Sequence, residues 1–287
     1  MGRACGPPGM VYDSAMELSA AERHDLAYAK SLLEHPGLAA RLAGMLGTPI
    51  EKGFALLPRS WGRSVVQVAH AALMKASEAA LYTLKDRPGV AASSRWHKLG
   101  VAATGAAGGL FGVAGLAVEL PISTTLMLRS VADIARSEGE AMDEATRVAC
   151  IEVFALGGPT QADDPLESGY FAIRAALATT VTEAGKHLAA KKLAVEGAPV
   201  LVRVVAAVAK RFGVQVTEKL AAQSIPAIGA VGGAAINTLF ISHFQDMARG
   251  HFIVRRLERR YGAEAVREWY RDLPAARGLS QPPLSRD

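Results

Sequence analysis

Aromatic residues are scarce. Phe, Trp and Tyr together make 6% of a 287-residue chain of which half is apolar. The apolar content therefore rests on aliphatic residues, Ala foremost, with 28 Gly beside them. Small residues let helix axes approach closely and Ala has the best helix propensity, so this composition favours packed helices over sheets. Strand signals are missing too: no alternating Val, Ile, Thr or Tyr run is bounded by an Asn-Gly or Asp-Gly turn. With only Cys5 and Cys150, one in a Gly/Pro-rich start and one inside a helical pattern, no disulfide framework is implied. The opening MGRACGPPGM has no apolar core of a secretion signal, and Gly6 stands where a myristoylation signal wants Ser or Thr. Common catalytic signatures are absent as well. There is no Gly-Lys-Ser/Thr phosphate loop, no Gly-x-Ser-x-Gly elbow, no Cys-x-x-Cys and no Glu-x-x-His. Nucleic-acid binding is not expected, because the basic face shows neither an aromatic nor a helix-turn-helix context for it.

What is present centres on Leu99 to Glu138. Val101 to Val118 is uncharged and rich in Ala and Gly, and it ends at Glu119, Leu120 and Pro121, after which an amphipathic pattern begins. Glycines 105, 108, 109, 112 and 115 recur every three or four residues, placing them on one helical face. Ile225 to Ile241 echoes this arrangement with Pro226 and a Gly-Ala core. The expected fold class is all-α, a multi-helix bundle around these two Gly/Ala-rich apolar helical segments. Length alone would let the first segment cross a bilayer, but Ala and Gly insert weakly. A buried hairpin of a helical domain and a wedge entering one leaflet are the other readings.

In chain order, residues 1–18 form a flexible leader, 19–273 a single helical domain and 274–287 a polar, disordered tail. Ser19 with Glu22 spells a capping box for a helix to Leu33, and Leu38 to Gly47 is a short helix. Thr48 and Pro49 restart another, and Ser60 to Leu84 has helical spacing. Asp143 caps a helix to Leu156, Gly157 to Pro165 is a loop, and Glu167 to Val195 is a long helix. Two short helices, Pro199 to Phe212 and Val214 to Ala222, precede a long one, Asn237 to Tyr261, and a last basic one, Ala263 to Asp272.

The run GAAGGLFGVAGLAVELPISTTLMLRSVADIARSEGE, continued by IEVFALGG at Ile151 to Gly158, resembles the EcsC family of bacterial proteins. The segment NTLFISHFQDMARGHFIVRRLERRYG, Asn237 to Gly262, is similar to that family's closing motif. The resemblance covers about Pro49 to Gly262. It implies a shared fold and an association with ABC-type export machinery, since the founding member is encoded beside such a transporter. It implies no reaction.

Polar residues in apolar surroundings are the candidate sites. Glu119 is expected near the N-terminus of the helix opened by Pro121, where the dipole favours it. Asp133 follows Arg129 by four residues, an ion-pair spacing. Glu152 falls inside an apolar stripe and needs a partner. His243 sits at core spacing with Asp246 three residues on. Glu119, Asp133, Glu152, His243 and Asp246 are therefore the candidate polar cluster, which could hold a divalent metal if three of them converge. Arg255, Arg256, Arg259 and Arg260, with His251 and Glu258 among them, form a basic helix face suited to anionic headgroups.

The function expected on these grounds is a peripheral membrane or lipid-interacting accessory protein, cytoplasmic, at the inner face of the cell membrane. Its expected partners are anionic lipids and an ABC-type transporter or other membrane protein. The alternative is a metal-dependent hydrolase of an apolar substrate using His243, Asp246 and Glu152.

Overall fold

The computed structural model describes residues 17–34, 37–47, 49, 51–57, 61–81, 118–157, 169–190, 198–225 and 229–274. Among these residues the chain is helical, with no strand. The leader to residue 16, the apolar segment to residue 117, the loop at 158–168 and the tail from residue 275 lie outside them.

Ser19 and Glu22 form the capping box as spaced, each side chain meeting the other's backbone N–H, and open α1 (Ala20–Leu33). A left-handed Gly47 ends α2 (Leu38–Leu46), and α3 (Glu51–Leu56) and α4 (Trp61–Leu81) follow. The next helix, α5, covers 118–137. Asp143 accepts from the Thr146 N–H to start α6 (Glu144–Glu152). This helix stops four residues short of the expected Leu156, tightening into a 3₁₀ turn at Val153–Ala155. Then come α7 (Gly169–Ala190), α8 (Ala198–Gln223), α9 (Gly229–Tyr261) and α10 (Ala263–Asp272).

Two expected boundaries move for physical reasons. The break expected at Gly213 is absent, and α8 runs through it as one helix. Gly213 is a packing position: a Cβ there would lie 2.9 Å from Val66 Cγ2, so the missing side chain is where α4 seats. The second Gly/Ala segment is not a separate element either, because from Gly229 it supplies the first turns of α9.

Close approach also orients the N-terminal helices. A Cβ on Gly53 would stand 2.0 Å from the Ala221 carbonyl oxygen, so α3 lies directly on the α8 backbone. The chain thus meets Ala221 at Gly53 in α3 and Gly213 at Val66 in α4.

The few aromatics concentrate where α8, α9 and the 3₁₀ turn meet. The Phe154 ring lies 5.1 Å from Phe212 and 5.0 Å from Phe244, and Phe240 lies 5.1 Å from Phe244. Such pairs contribute roughly 0.5–1.5 kcal/mol each beyond area burial. At the other end of α9, the buried Lys30 ammonium donates to the carbonyls of Tyr270 at 2.8 Å and Leu273 at 2.6 Å. It thereby caps the C-terminus of α10, where the dipole is negative.

Candidate functional site

Glu119 stands in α5, buried, and accepts from Lys219 Nζ at 2.8 and 3.0 Å and from Asn237 Nδ2 at 3.1 Å. This joins α5, α8 and α9 through a fully buried ammonium, which also lies 5.1 Å over the Phe240 ring. Burial pushes the Lys219 pKa down and the Glu119 carboxylate opposes that shift. Asn237 thus serves this ion pair. Asp133 accepts from Arg136, three residues on.

The arginines of α9 are engaged with carboxylates of this chain. Arg256 pairs with Asp25 and, at 2.7 Å, with Glu138, which also accepts from Arg249 at 3.3 Å. Arg255 donates to Glu140 at 2.9 Å, Arg259 reaches the same oxygen, and Arg260 donates to Glu22 at 2.9 Å. Glu138 and Glu140 sit in the turn after α5, so α9 is clamped to α1 and to the α5–α6 connection. Burial raises the Glu138 pKa, against which Arg256 and Arg249 pull.

His251, expected on that solvated face, is buried instead. Its Nδ1 is 3.0 Å from the Tyr170 hydroxyl, and Arg174 holds Glu258 through two bonds of 2.7 and 3.0 Å. Glu152 belongs to this group: burial raises its pKa, and the Arg174 and Arg255 guanidiniums lower it.

His243 and Asp246 lie in a third place. His243 is 1% exposed and packs against Gly157, whose φ of +73° is left-handed. A Cβ on Gly157 would come within 2.5 Å of His243 Cε1. Burial and the Arg41 charge hold the His243 pKa down at about 3, so the ring is neutral. Asp246 accepts from Arg41 Nη1 at 3.1 Å. Nearby, Gln215 Nε2 donates to the Leu156 carbonyl at 2.6 Å. The five candidates are thus divided among separate helix contacts, and no group of three or more His, Cys, Asp or Glu among the described residues could hold a metal ion.

Glu218, one helical turn from Gln215, is buried with its Oε2 atom lacking a hydrogen-bond partner among the described residues. Burial lifts its pKa from 4.5 to about 7. Above pH 4.5 the unfolded chain has lost this proton while the fold keeps it, so the contribution to stability falls by about 1.4 kcal/mol per pH unit towards neutrality. Replacing Glu218 with Gln is expected to gain about 1–3 kcal/mol relative to wild type at pH 7.5 compared with pH 5, by urea unfolding at both values. An equal difference at the two pH values would show that Glu218 does not titrate in that range.

Lys219, Glu138, Glu140, Tyr170 and Arg174 were not among the sequence candidates.

A family model described as the EcsC protein family matches residues 39–257. No curated protein and no solved structure matches the chain. The matched span contains the Glu119–Lys219 pair and the pairs of Arg249, Arg255 and Arg256 with Glu138 and Glu140, and it covers most of the chain. The protein therefore belongs to the EcsC family.

Proposed function

We propose that this protein is a peripheral lipid-contacting accessory protein that rests on one leaflet, at the cytoplasmic face of the membrane, and inserts only side chains. The observation that carries this reading is a set of exposed large apolar residues. Met45 of α2, Phe54 and Leu56 of α3, and Val118 and Ile122 at the start of α5 all lie on the surface, with Val118 67% and Leu56 56% exposed. The contacts Gly53–Ala221 and Glu119–Lys219 bring α3 and the start of α5 to the same end of α8. In the sequence, Val118 is the last residue of the uncharged Gly/Ala stretch.

No helix among the described residues is long and apolar enough to cross a membrane. Shallow insertion of such a tip suits an interfacial protein. Half-exposed side chains of this size gain on the order of 1 kcal/mol each on leaving water. The α9 arginines contribute little net charge to such a surface, since each is matched by a carboxylate of the same chain.

Flotation with phosphatidylcholine vesicles tests this. Wild type is expected to float with them, and the Leu56→Asp/Ile122→Asp variant to bind at least about fivefold less at unchanged Tm, both positions being exposed. Failure of wild type to float, or flotation of the variant at the wild-type level, would overturn the reading.

A further inference from the structure

The arginines of α9 are matched by carboxylates, whereas the outer side of the α4–α8 pair carries an excess of cations. α4 carries Arg63, His70 and Lys75 with one carboxylate, Glu78, and α8 carries Arg203, Lys210 and Arg211 with Glu218, which is buried. Among the described residues none forms an ion pair with Arg63, Lys75, Lys210 or Arg211. Arg63, Lys75, Arg203 and Lys210 are exposed.

Their spacing gathers them on one surface. Arg63, Gln67, Ala71 and Lys75 recur every four residues on α4, and Arg203, Lys210 and Val214 follow helical spacing on α8. Val66 of α4 seats on Gly213 of α8, so Arg63, one turn before Val66, and Lys210, one turn before Gly213, both lie close to the contact of the two helices. Val202 and Val214, 37% and 44% exposed, flank the cations. At its Arg63 end the stripe runs into α3 and the apolar tip.

We infer that this α4–α8 face is the headgroup-contacting surface, binding the phosphates of anionic lipids while the tip enters the acyl boundary. This inference rests on the lipid-contacting reading above. One feature favours a membrane over nucleic acid: exposed aliphatic Val202 and Val214 flank the cations, which suits an acyl boundary rather than a base. Each basic side chain held near an anionic leaflet strengthens binding by about fivefold, an effect that salt screens.

The test uses full-length protein with vesicles of pure phosphatidylcholine and of phosphatidylcholine with 30% phosphatidylglycerol, at low and high salt. A single-stranded oligonucleotide serves as the competing probe. Wild type is expected to prefer the anionic vesicles by tenfold or more, and to lose that preference at high salt. Lys75→Glu/Lys210→Glu should weaken anionic binding at least about 25-fold while leaving binding to neutral vesicles unchanged. Lys75→Gln/Lys210→Gln should fall between, and an unchanged Tm shows that both variants fold. Equal binding to both vesicle types, or anionic binding untouched by the charge reversal, overturns this inference and leaves the apolar tip standing. Binding to neither vesicle overturns both readings. Oligonucleotide binding that the reversal abolishes, without a preference for anionic vesicles, assigns the face to nucleic acid and overturns the lipid assignment.

Discussion

Replacing Lys219 with Met is expected to destabilise the fold by about 3–5 kcal/mol, because it leaves the Glu119 carboxylate buried without its cation. The loss arises from the uncompensated charge more than from the pair's own attraction, since taking both ions out of water already costs much of what their contact returns. That distinction is measurable. Lys219→Met combined with Glu119→Gln removes both charges while the new amide oxygen can still accept from Asn237, and it should recover at least half of the loss. A double-mutant cycle by chemical unfolding should therefore give a coupling of about 2 kcal/mol or more. Additive losses would mean that the two side chains do not interact in solution.

Gly53→Ala should be nearly as damaging, by a different route. The new methyl would meet backbone on its far side, the Ala221 carbonyl oxygen at 2.0 Å and its carbon at 2.5 Å, and no rotamer change can relieve that. Overpacking of this kind costs typically about 1–3 kcal/mol, and a clash against backbone belongs at or above the top of that range. α3 is only six residues long and is held by this contact, so it should detach from α8. Faster trypsin cleavage after the exposed Lys52, with a lowered Tm, is the expected result. Gly44→Ala provides the comparison: nothing lies within 4 Å of the added methyl, and Ala in a helix should stabilise by about 0.5–1 kcal/mol. If the two variants behave alike, the close seat of α3 on α8 is wrong.

Local signals were legible in the sequence and pairings between distant residues were not. Ser19 with Glu22, Asp143 and Gly47 act within one helical turn, and each starts or ends a helix as read. Gly213 misled because a glycine that stops a helix and one that admits a neighbour look identical until Val66 is placed beside it. The polar candidates show the same limit. Glu152 and His243 were recognisable as core-facing from their apolar neighbours, whereas Glu119 was expected beside a helix N-terminus. Their partners Lys219, Arg174 and Gly157 come from elsewhere in the chain, and no spacing rule connects them. The arginine-rich end of α9 looked like free charge because Asp25, Glu138 and Glu140, which neutralise it, are more than a hundred residues away. The excess cations of α4 and α8 were visible in the sequence as helices nearly devoid of Asp and Glu.

The length of α9 has a consequence for how the molecule opens. Thirty-three residues at about 1.5 Å per residue make a rod of roughly 50 Å. Along it stand, in order, Asn237 on Glu119, Gln245 on Ser130, Arg249 on Glu138, His251 on Tyr170, Arg256 on Glu138 and Glu258 on Arg174. A slip by a single residue would turn the rod by about 100° and break all of these at once. Partial sliding or fraying from the middle is therefore closed to it. Amide protons along α9 should exchange with solvent as one cooperative block, so the two ends of the protein share a single opening event despite the distance between them.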